Sequence, residues 1–126
     1  MSYSTAIKTV LLTTVIMLVL DAIYLTTTSK IMIPQIMKIQ NAPVQFRILG
    51  AILCYICLVG GLYYFILREH RPIFDAFLFG IVIYGVYEFT NYAILKRWKW
   101  EVVVMDTIWG GILMALTTWV VYSIVR

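Results

Sequence analysis

IFDAFLFGIVIYGVYEFTNYAIL (residues 73–95), KRWKWE (96–101) and VVVMDTIWGGILMALTTWVVYSIV (102–125) decide the fold of this 126-residue chain. At about 1.5 Å per helical residue, each apolar run is long enough to cross roughly 30 Å of hydrocarbon. The basic and aromatic residues between them are typical of a membrane interface. Working outward, the same pattern predicts helices over 6–27 and 46–67. Arg68-Glu69-His70-Arg71-Pro72 ends the second of these, and Pro72 suits the start of the third. The long connection, 28–45, carries an amphipathic core, IMIPQIMKI (31–39), read as a short interfacial helix. The expected fold is all-α: a polytopic membrane protein with one domain over 1–126. It is a four-transmembrane-helix bundle with that interfacial helix between helices 1 and 2.

Composition agrees. The apolar fraction is 63% and the mean hydropathy +0.93, against roughly 45–50% apolar in soluble domains. A chain this short cannot hide so much apolar surface from water, so lipid must cover it. The net charge of +4 is scattered between apolar runs and forms no stripe, which excludes nucleic acid as a partner and points to the lipid bilayer. Lys8, Arg68, Arg71 and Arg126 fall on one side of the membrane. Lys30, Lys38, Arg47, Lys96, Arg97 and Lys99 fall on the other. An integral, multi-pass chain with both termini on one side follows, and the 6-to-4 basic bias favours termini outside the cytoplasm.

Three carboxylates stand out against this background. Asp21 lies near the end of helix 1, Glu88 near the end of helix 3 and Asp106 near the start of helix 4. A carboxylate in hydrocarbon costs about 2.5–3.5 kcal/mol on the insertion scale, so such residues face a polar interior. All three belong to the same half of the membrane, together with Asn91 and with Arg47 at the start of helix 2. Helical spacing puts Ile81, Tyr84, Gly85, Glu88, Asn91 and Tyr92 on one face of helix 3. It groups Asp106, Trp109, Gly110, Leu113 and Thr117 on helix 4, and Thr14, Met17, Asp21 and Tyr24 on helix 1. Candidate ligand- or ion-binding residues are therefore Asp21, Tyr24, Arg47, Tyr84, Glu88, Asn91, Asp106 and Trp109. Arg47 is expected to compensate at least one of the acids.

Helix 2 carries Gly50, Cys54, Cys57 and Gly61, a stripe of small residues suited to close packing against a neighbouring backbone. The Cys-x-x-Cys spacing lies in mid-membrane sequence without a second cysteine pair, and the single histidine, His70, sits in a loop. The cysteines therefore read as packing residues, with no metal and no cofactor expected.

Three motifs carry a resemblance to an uncharacterised family of small four-helix membrane proteins with bacterial and large-DNA-virus members. Leu20-Asp21-Ala22-Ile23-Tyr24-Leu25 resembles its Leu-Asp-x-x-Trp-Leu. The run from Tyr84 to Trp98 is similar to its Tyr-Gly-x-Tyr-Asp-Leu-Thr-Asn-x-Ala-x-Leu-Lys-x-Trp, and Asp106-Thr107-Ile108-Trp109-Gly110 resembles its Asp-x-x-Trp-Gly. Tyr24 replaces the usual Trp, Glu88 the usual Asp, and Lys99 a common proline. The resemblance implies the fold and the choice of residues, and it brings no activity with it.

The first functional reading is a conduit or transporter for protons, cations or a small cationic solute. Desolvation and like-charge proximity both disfavour ionised carboxylates, which makes a buried cluster a natural coupling group. The alternatives are a binder or isomerase-type enzyme for an amphiphilic, lipid-like ligand, and a non-catalytic scaffold subunit held by an internal ion-pair network. Enzyme activity is disfavoured, since no Ser-His-Asp or Cys-His set lies at membrane level. Short loops and the small-residue stripe leave room for a homo-oligomer.

Overall fold

The computed structural model describes residues 2–125; Arg126, counted in the charge balance above, lies outside them. Its elements are α1 (Tyr3–Gln40), α2 (Ile48–Leu62) continued by a π-helical turn (Tyr63–Leu67), α3 (Ile73–Ile94) and α4 (Trp100–Ile124). All four helical segments are long and apolar enough to span a membrane. Large apolar side chains such as Ile7, Leu11, Val82, Val86 and Trp119 cover the outside, as a lipid-facing surface requires.

The separate interfacial helix is not there. Residues 28–40 continue α1 without a break, with Pro34 inside the helix. A proline there removes one backbone hydrogen bond and crowds the preceding turn, and tertiary contacts offset that cost. Met32 and Ile39 pack against Trp98, Val102 and Val103, and the Gln35 side-chain oxygen accepts from the Lys99 backbone N–H at 2.9 Å. The helix stops at Asn41, whose φ of 55° is left-handed; asparagine tolerates that conformation better than most residues.

The tightest pair is α3 with α4, while α1 runs along α4 and α2 leans on α1. The α3–α4 contact depends on glycine. A Cβ on Gly80 would lie 2.0 Å from the Gly110 carbonyl oxygen, and one on Gly110 would lie 2.2 Å from Tyr84 Cγ. In lipid, such backbone approach replaces the hydrophobic drive that holds soluble helices together. Gly80→Ala is expected to destabilise by about 1–3 kcal/mol through overpacking, read by denaturant unfolding in detergent. A Cβ on Gly50 would meet nothing within 4 Å, so Gly50→Ala is expected to stay within about 0.5 kcal/mol. Of the two glycines in the small-residue stripe, only Gly61 meets another helix, at Phe79; Cys54 and Cys57 are exposed on the outer face of α2.

Asp21 receives a hydrogen bond from Trp109, and Asp106 one from Tyr24. Thr5 and Thr9 line a pocket with Val121 and Val125. Helices α1 and α4 are therefore antiparallel, and the N-terminal end of α1 meets the C-terminal end of α4. That end of the bundle, which also holds residues 68–71, is called proximal below; the opposite end, with 41–47 and 95–99, is distal. The buried core combines Met17, Leu58, Leu62, Leu113 and Met114 among others.

Candidate functional site

The buried face of α1 is polar. It consists of Thr9, Thr13, Met17, Asp21, Thr28 and Gln35, while isoleucine, leucine and valine occupy the outside. This inversion of the soluble pattern sets Asp21 against α4, where Asp106 and Trp109 face it. Relative exposure is 0% for Glu88, 6% for Asp21 and 7% for Asp106, so the three acids are withdrawn from lipid.

A neutral aromatic donor reaches each of them. Trp109 Nε1 donates to Asp21 Oδ1 at 3.0 Å, and the Tyr55 hydroxyl donates to Asp21 Oδ2. The Tyr24 hydroxyl donates to Asp106 Oδ1 at 3.0 Å. Trp98 Nε1 donates to Glu88 Oε1 at 2.8 Å. The Tyr24 and Trp109 rings stack with centroids 4.6 Å apart and planes 1° from parallel, which locks both donors in direction. Glu88 Oε2 is buried without a neighbouring N–H or O–H donor. Asp106 is the carboxyl beside Glu88, and two carboxyls can bond each other only through a shared proton.

Asp21, Tyr24, Glu88, Asp106 and Trp109 thus converge, and Tyr84 packs on Gly110 beside them. Asn91 is half-buried one turn beyond Glu88 and forms no bond to the acids among the described residues. Arg47 does not join the cluster. It caps the N-terminus of α2, exposed, in extended backbone. The ion pairs among the described residues are Arg68–Glu69 and Arg71–Asp75, at the proximal end. The expected compensation fails because Arg47 stands at the N-cap of α2, about two helical turns before Tyr55, the α2 residue that reaches Asp21. Arg47→Ala is therefore expected to change stability by no more than about 0.5 kcal/mol, measured by unfolding in detergent.

Two side chains that bond the acids are not evident from the sequence, Tyr55 and Trp98. Trp98 resembles one more interfacial aromatic; its place at the end of the long motif that contains Glu88 is the available signal. Nothing in the sequence around Tyr55 distinguishes it from the other tyrosines.

These features define a class: a four-helix, membrane-spanning protein whose interior holds three carboxyls bonded by tyrosine and tryptophan rather than by arginine or lysine. The chain belongs to the family described as predicted membrane protein DUF2177, which it matches over residues 6–123. No curated protein and no solved structure matches it.

Proposed function

We propose that this protein binds and moves protons or a small cation through the cluster of Asp21, Glu88 and Asp106. The supporting observation is that the acids lack a basic partner among the described residues while nearly excluded from solvent. Desolvating an ionised group costs several kcal/mol even after relaxation. Three bare charges would consume most of the roughly 5–15 kcal/mol that keeps a domain folded. Hydrogen bonds from neutral donors help by about 1.5–3 kcal/mol each but leave the net charge in place. Protons or a cation must supply the balance, and a site neutralised by an exchangeable ion is suited to transport. In this reading Glu88 and Asp106 hold a proton between them. Asp21 is the second group, and the Tyr24–Trp109 stack keeps the two in register. The basic bias favours the cytoplasm for the distal connections.

Purified protein in liposomes, loaded with a pH-sensitive dye and tested across alkali and organic cations, checks this. Flux above that of empty vesicles is expected. Its absence under all conditions overturns the transport reading.

A second reading has its own observation. An apolar groove of about 580 Å³ between α1 and α2 is lined by Val10, Leu18, Ile52, Ile56 and Tyr55, and the Tyr55 hydroxyl reaches Asp21. An amphiphile with an amine head would place its tail in the groove and its charge toward Asp21, whether for binding or for isomerase-type chemistry.

A further inference from the structure

The register between α1 and α4 extends beyond the acids. Asp21 faces Trp109 and Tyr24 faces Asp106; at the proximal end Thr5 and Thr9 meet Val121 and Val125 across one pocket. Each step along α1 is matched by an equal step back along α4. The same register sets Thr13 opposite Thr117 and Met17 opposite Leu113. A polar seam therefore runs from the proximal pocket toward the acids, through Thr9, Thr13 and Thr117. Between Thr117 and Asp21 an apolar layer of Met17, Leu62, Leu113 and Met114, all fully buried, interrupts it, and Leu67 and Val121 flank its proximal part.

The threonines of the seam are not equivalent. Thr9 and Thr13 donate to carbonyls one turn back, at 2.7 Å each, the default for a threonine in an apolar helix. Thr117 and Thr118 are fully buried, and their hydroxyls have no such bond. A buried hydroxyl without a partner costs about 1–3 kcal/mol, and water is the usual remedy where the surroundings are polar. The proximal pocket, of about 300 Å³ and edged by His70 and Tyr122, opens at the near end of this seam, beside Thr9 and Val121.

We propose that the α1–α4 seam is a hydrated half-channel by which protons reach the acid cluster from the proximal end, and that the Met17–Leu113 layer is its dry step. The proposal rests on reading the cluster as a proton site. Protons pass along a water and hydroxyl chain, in which each oxygen accepts one proton and releases another, so no group changes its net count. The dry layer keeps the resting protein from leaking.

Two measurements on the full chain test it, both in a Cys54→Ala/Cys57→Ala background. The first is labelling of Thr117→Cys by a small, charged, membrane-impermeant thiol reagent applied at the proximal side. It should exceed labelling of Leu116→Cys, which faces lipid, by at least about tenfold. Equal labelling means a dry seam and overturns the proposal, and this result does not depend on any flux. The second is proton leak of Met17→Ser in dye-loaded liposomes, expected at least about tenfold above wild type. A well-folded Met17→Ser without added leak overturns the assignment of the dry step. A leak in Met17→Ser that Asp21→Asn fails to reduce supports the half-channel and counts instead against the cluster as its proton acceptor. That outcome separates failure of the earlier reading from failure of this one.

Discussion

Glu88→Gln is expected to reduce proton or cation flux by at least about tenfold, equivalent to about 1.4 kcal/mol, while leaving the fold intact. Glutamine matches glutamate in size and still accepts the Trp98 indole N–H, so the bond at Glu88 Oε1 survives. What it loses is the ability to share a proton with Asp106. Because Glu88 is wholly buried, surface charge is untouched, and any change in flux is a change at the cluster. The measurement is flux in liposomes, with unfolding in detergent as the control on structure. Normal flux in a stable Glu88→Gln protein would move the essential group to Asp21.

Trp109→Ala is expected to be the most damaging of the aromatic substitutions, at about 3–5 kcal/mol for the lost ring. The side chain does three things at once. It fills the space between α1 and α4, stacks on Tyr24 and donates to Asp21. Trp109→Phe separates these roles: a ring remains for stacking, but Asp21 loses one of its two donors, a loss of about 1–3 kcal/mol. In a double-mutant cycle, Trp109→Phe with Asp21→Asn should fall short of additivity by about 0.5–3 kcal/mol. Strict additivity would show that the indole contributes volume alone.

The sequence made the helices and the depth of the acids legible for the same reason. Lipid imposes a nearly uniform apolar requirement along each span, so any departure from it is visible, and counting from the interfaces gives its level. Rotation about a helix axis is less visible, because hydropathy all round a span is high. That is why Asp21, Glu88 and Asp106 could be placed while Tyr55 could not, and Arg47 stays at the exposed N-cap of α2. Pro34 illustrates a second blind spot. Local preference argues for a break near residue 28, and contacts with Trp98 and Lys99, remote in sequence, override it. The donors to the acids come from α1, α2, α4 and the connection before α4, so their convergence is a property of assembly and not of any one segment.

The polar inner face of α1 bears on how the protein is made. The groups that shield Asp21 and Tyr24 on α4 stand 88 and 82 residues later in the chain. At translation speeds of about 5–20 residues per second, that gap lasts roughly 4–18 s. During the interval α1 has Tyr55 of α2, 34 residues on, to bond Asp21, but its row of threonines and the second oxygen of the carboxyl still lack their cover from α4. A nascent chain that stalls before α4 keeps this polar surface on display, and membrane quality-control proteases would find an unfinished molecule by the same residues that a finished one hides.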